Sequence, residues 1–172
     1  ELMAHYLLNS TEFESDAKPI IFFIADEKPY DKVKPNEAKE IGLPIEAEYD
    51  PWPELNKKFG DNVFVMLNKY CGSRFEERIT KKWKEVLPPE HTLRIPEEKA
   101  IVDLMLGVLA IQKQELDVYA LDMKNRGQTQ GRIEGVTNSL QELSDTMALS
   151  TNVSANLPSE MKLSLKNKGK RI

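Results

Sequence analysis

The sequence predicts an α/β fold, part of a doubly wound parallel sheet followed by a helical extension. Two continuous apolar runs, Ile20 to Ala25 and Asn62 to Leu67, read as strands, and helical periodicities fill the stretches around them. The order helix, strand, helix, strand, helix, strand is the third observation. Such alternation favours parallel strands joined by right-handed crossovers, with helices on both faces.

The chain begins with Leu2, Met3, Tyr6 and Leu7 at helical spacing, ended by Asn9, Ser10 and Thr11. A polar connector, Thr11 to Lys18, leads to Ile20 to Ala25. That run shows no alternation, is rich in β-branched and aromatic residues, and lies between Pro19 and Pro29, as expected of a central strand covered on both faces. Asp26 and Glu27 follow at its C-terminal end, the edge at which open α/β sheets bind ligands. A short helix is expected next, capped by Asn36 and closed by Gly42. Leu43 to Pro53 has no period and reads as a loop, and Glu54 to Phe59 reads as a helix ended by Gly60. After the second strand, Tyr70 to Ser73 reads as a turn and helix cap. Phe75, Ile79, Trp83 and Val86 then form one helical face. Pro88 and Pro89 stop that helix, and Thr92 to Ile95 supplies a short third strand.

Pro96 opens the helical extension, residues 96–149. Ile101, Leu104, Met105, Val108, Leu109, Ile111 and Leu116 are dense enough to predict one long helix packed on the sheet, running to a stop at Gly127, with Gly107 permitting close contact. Ile133, Val136, Leu140, Leu143 and Met147 form a second, narrower seam, expected to pack back on the first. From Leu149 the period is lost. Residues 150–172 read as a disordered tail made basic by Lys162, Lys166, Lys168, Lys170 and Arg171.

Composition narrows the function classes. In 172 residues, 40% hydrophobic and 30% charged, there is room for one domain with an extension. A formal charge of -4 argues against a nucleic-acid-binding body, which leaves only the basic tail for such contact, and that tail lacks aromatic residues to stack on bases. No apolar run approaches the roughly 20 residues of a membrane span, so the reading is a soluble, cytoplasmic protein. The one cysteine, Cys71, forms no internal disulfide and lies at an expected helix N-terminus without a paired base. No glycine-rich phosphate loop or serine elbow occurs, and His5 and His91 have no companion at metal-ligand spacing, so nothing points to an enzyme. Trp52, between Pro51 and Pro53, reads either as an exposed interaction anchor or as packing over the sheet edge.

Glu1-Leu-Met-Ala-His-Tyr-Leu, Ile21-Phe-Phe-Ile-Ala-Asp-Glu-Lys-Pro-Tyr30, Val63-Phe-Val-Met-Leu67, the Trp83 helix and Leu93-Arg-Ile95 together resemble the C-terminal half of a von Willebrand factor A domain of bacterial or phage type. The resemblance covers residues 1–95. It implies a doubly wound, Rossmann-like fold and a non-enzymatic protein-binding module. It also implies Mg²⁺ at a metal-ion-dependent adhesion site, where Asp26 matches the aspartate that follows the fourth strand. The remaining ligands of that site, an Asp-x-Ser-x-Ser loop and a threonine, have no counterpart in this sequence, so the resemblance places them outside this chain. Hard oxygen donors suit Mg²⁺, which keeps a coordination position for an acidic group of the partner. The alternative expectation is a structural assembly protein that oligomerises through residues 96–149, with a vestigial metal site.

Overall fold

The computed structural model describes residues 1–13, 18–68 and 73–155. Among them the chain forms α1 (Leu2–Ser10), β1 (Ile21–Ala25), α2 (Pro35–Glu40), α3 (Trp52–Phe59), β2 (Val63–Leu67), α4 (Ser73–Val86), β3 (Thr92–Arg94), α5 (Ile101–Gln112), α6 (Leu116–Asn125) and α7 (Gln130–Ala155). The expected turn around Cys71 and the basic residues from Lys162 to Arg171 lie outside the described residues.

The strands are all parallel, in the order β1-β2-β3. Ile21 pairs with Val63 and Ala25 with Leu67, while Leu67 pairs on its other side with Arg94. Side chains alternate across the sheet, so β2 serves two cores. Phe64 and Met66 enter one core with Leu93 and the apolar faces of α5, α6 and α7. Val63, Val65 and Leu67 enter the other with Ala4, Trp52, Leu55 and Trp83 from α1, α3 and α4. Burying each such large side chain contributes about 1.5–3 kcal/mol, and that is what drives helices onto both faces. The architecture is therefore α/β, with helices above and below a three-stranded parallel sheet.

The central strand is β2, not the run from Ile20 to Ala25. All five residues of β2 are buried, whereas β1 lies at an edge and leaves Ile24 54% exposed. An unbroken apolar run records cover on both faces, which an edge strand also has. Position within the sheet depends on strand order, which local sequence does not carry.

Several boundaries also differ from expectation. α2 starts at Pro35, with the Glu37 carboxylate accepting from the amide of Lys34 at 3.2 Å, so Asn36 lies inside the helix. α3 begins at Trp52, whose amide donates to the Asp50 carboxylate at 2.9 Å. The expected long helix after Pro96 is broken. A single 3-10 turn spans Glu98–Ala100, α5 ends at Gln112, and the chain reverses through Gln114 before α6. A straight helix over 96–125 would extend about 45 Å. The break instead folds Tyr119 and Met123 back onto the core shared with Leu104 and Val108.

Gly107 does permit the close approach expected of it, since a Cβ there would strike the Leu140 side chain and lie 3.3 Å from Tyr119. A second close approach, not anticipated from sequence, sets Gly135 against Pro96. The seam of Ile133, Val136, Leu140 and Leu143 is buried against α5, so α7 packs back as expected, and it continues to Ala155, past the end of the apolar period. Asp103, buried inside this layer, is neutralised by Arg126 at 3.1 Å and Arg132 at 2.6 Å.

Candidate functional site

The parallel register brings Ala25, Leu67 and Arg94 level at one edge of the sheet, and the chain leaves there through Asp26, Asn68 and Ile95. Parallel strands all present their C-terminal ends on the same side, so this edge collects loops from every strand. Asp26 and Glu27 are both exposed there.

The loop that follows β1 is anchored by two tryptophans. Trp83 of α4 donates its indole N–H to the carbonyl of Glu27 at 2.8 Å, and Trp52 of α3 donates to the carbonyl of Tyr30 at 3.0 Å. The indoles meet edge-on with centroids 5.2 Å apart, and both pack against Phe23 of β1, at 5.5 and 6.3 Å. Buried indole N–H groups require acceptors, and carbonyls in a strand-to-helix loop require donors, so each need is met by the other. Of the two readings open for Trp52, packing is the one the structure supports, because the ring is 2% exposed.

Two adjoining clefts open at this edge. The first, of about 250 Å³, is lined by Asp26, Glu27 and Lys28 from the loop, by Tyr30, and by Phe75 and Arg78 from α4. The second, of about 300 Å³, lies over the ends of β2 and β3, with Leu67, Arg94 and Pro96 on one side and Glu76 and Thr80 on the other. Ile79 lines both, so α4 forms the ridge between them. Within the first cleft the Tyr30 hydroxyl donates to the Glu27 carboxylate at 3.5 Å, and Lys28 stands over the Tyr30 ring at 5.8 Å.

Phe75 corrects the expectation from spacing. It shares the period of Ile79 and Trp83, but the core takes those two and not Phe75, which is 60% exposed and lines the first cleft. Nothing in the sequence pattern marks Tyr30, Phe75, Arg78 or Arg94 as site residues. The spacing that marks a helical face cannot distinguish its covered part from the part that overhangs.

Among the described residues no group of three or more histidine, cysteine or acidic side chains gathers to hold a metal ion. Mg²⁺ takes six oxygen ligands. Asp26, with Glu27 adjacent, therefore fits such a cation only as part of a larger donor set. The histidines lie elsewhere and are buried. His5 Nε2 donates to the Leu43 carbonyl at 2.9 Å, which leaves Nδ1 to accept from the Tyr49 hydroxyl at 2.6 Å. His91 Nδ1 donates to the Val63 carbonyl at 2.9 Å, and burial holds its pKa below the ordinary imidazole value. No described helix is long and apolar enough to cross a membrane.

Comparison with protein-family models, curated proteins and solved structures found no match.

Proposed function

We propose that this chain is a non-enzymatic protein-binding module of von Willebrand factor A type that receives its partner at the C-terminal edge of the sheet. The observation that carries the reading is the anchored loop from Asp26 to Tyr30, with exposed Tyr30, Phe75 and Arg78 around a shallow cleft. Aromatic side chains and arginine supply most of the energy of protein interfaces, since they combine large apolar area with a polar group that fixes orientation. The parallel sheet and the acids at its edge agree with the resemblance of residues 1–95 to that family.

In this reading Asp26 contributes one oxygen ligand to Mg²⁺, and the other ligands come from outside this chain. The cation would supply a coordination position for an acidic group of the partner. Titration calorimetry of the full-length protein with Mg²⁺, with and without Asp26→Ala, tests the cation. Equal heats for the two proteins would remove it from the reading. Phe75→Ala and Arg78→Ala test the cleft, because each is exposed and its loss should weaken partner binding about tenfold without altering the fold.

A second reading, a structural assembly protein that associates through residues 96–149, is favoured by a separate observation. Val102, Leu106, Leu109, Val118 and Leu121 on α5 and α6 are exposed although apolar. The seam on α7 does not serve this purpose, because it is already buried within the chain.

A further inference from the structure

We infer that the outer edge of β1 is a dimerisation edge, where a second copy of this chain adds its own β1 antiparallel about a two-fold axis at Phe22. The hydrogen-bonding direction of β1 is fixed by its inner side. The carbonyl of Ala25 accepts the amide of Asn68 at 2.8 Å, toward β2. Amides and carbonyls alternate in direction along a strand, so Ile20, Phe22 and Ile24 turn theirs to the open edge. Among the described residues nothing pairs with that edge. Natural edges are guarded by charges, prolines or bulges, and none occurs between Ile20 and Ala25.

Charge complementarity selects the occupant and the register. Lys18 precedes the strand and Asp26 follows it. Antiparallel pairing about Phe22 sets Phe22 against itself, Ile20 against Ile24 of the second copy, and Lys18 against Asp26 of the second copy. Every outward amide and carbonyl then finds a partner. Moving the axis to Phe23 would set Lys18 against Lys28, and moving it to Ile21 would set Lys18 against Ile24. Parallel pairing would place like charges together and would not close into a symmetric dimer.

The helical layer adds exposed apolar area on the face of the sheet that Ile20 and Phe22 share. Ile101 and Met105 of α5 pack against the core that Ile20 and Phe22 also join, while Gly107 marks the side of α5 turned to α7. Val102, Leu106 and Leu109, spaced four and three apart, run along the side of the helix away from Gly107 and are exposed. A two-fold axis perpendicular to the sheet keeps both copies of α5 on one face, so this stripe meets its own copy above the paired strands. Asp26 also serves the cation reading and lines the cleft formed with Phe75, so the dimer is measured without Mg²⁺, and Ile24→Lys, which touches neither the cation ligand nor the cleft, tests the edge by itself.

The test is sedimentation equilibrium of the full chain, with circular dichroism to verify that each variant folds. The unaltered protein should be a dimer, and Ile24→Lys, at an exposed position, should make it a folded monomer. Lys18→Glu and Asp26→Lys should each weaken the dimer about tenfold, because each contact occurs twice across the axis, and the double reversal should restore it. A monomer at about 100 μM would overturn the inference, since association that weak lies outside a specific dimer. So would a dimer unaffected by Ile24→Lys, or a double reversal that gives no recovery.

Discussion

His91 directly precedes β3, with its ring 4.5 Å from that of Phe64 and its Nδ1 committed to the Val63 carbonyl. Burial disfavours its charged form, so the folded-state pKa lies below the unfolded value near 6.5. As pH falls, the unfolded chain takes up this proton before the folded one does. The stability present above about pH 6.5 is therefore lost progressively as pH falls toward the folded-state pKa. Urea denaturation at pH 7.5 and pH 5 should show this loss, and His91→Gln should flatten the difference. Gly107 sets a second limit at the scale of one residue. Gly107→Ala would push a methyl group into the Leu140 side chain, which is fully buried and must shift to admit it, so thermal unfolding should report a loss of about 1–3 kcal/mol. The sequence made Gly107 legible because an isolated glycine inside a dense apolar helix has few other uses. Gly135 was not legible, because it stands among mostly polar residues four positions from Gly131, with no dense apolar helix around it to mark a contact.

At the scale of elements, three helices end in the same way. In α2 and α6 the residue just past the cap is glycine, Gly42 or Gly127, and its amide and the next one bond back to the last turn. At the end of α5 the same place is held by Gln114, with φ 61 and its amide bonded to the Ile111 carbonyl at 2.9 Å, while Glu115 bonds to Ala110 at 2.8 Å. A left-handed conformation costs a side-chain-bearing residue about 1 kcal/mol that glycine avoids. Gln114→Gly should therefore raise stability by up to about 1 kcal/mol in chemical denaturation, and no change would mean that the unfolded-state entropy of glycine cancels the relief. This also explains why the sequence predicted one long helix. Glycine and proline announce a break, and neither stands between Gln112 and Leu116. Strand identity was legible for the opposite reason, since five apolar residues between turn formers have few alternatives. Edge or centre was not legible, because that distinction belongs to pairing.

At the scale of the molecule, β2 couples the two cores, with alternate residues of one strand belonging to each. The helices from α5 to α7, read from sequence as an extension, supply one wall of the sheet's own core. Removing α7 after Gln128 would expose Leu104, Val108 and Met123 together. The truncated chain should lose cooperative unfolding and bind a hydrophobic dye, whereas a sharp transition like that of the intact chain would show that α5 and α6 suffice. The candidate site was legible to the same extent as the fold. Asp26 and Glu27 were placed at the sheet edge by the strand that precedes them, while Phe75 and Arg78 arrive there through the angle at which α4 crosses the sheet, a property of packing.

The two tryptophans that hold the loop after β1 are also the only two in the chain. Indole emission depends on the hydrogen bond at the ring nitrogen and on exposure to water, so both indoles report on the carbonyls of Glu27 and Tyr30. Anything that moves the loop from Asp26 to Tyr30 should shift the emission of the whole protein, with no label attached. The anchoring of the site thus provides its own optical readout.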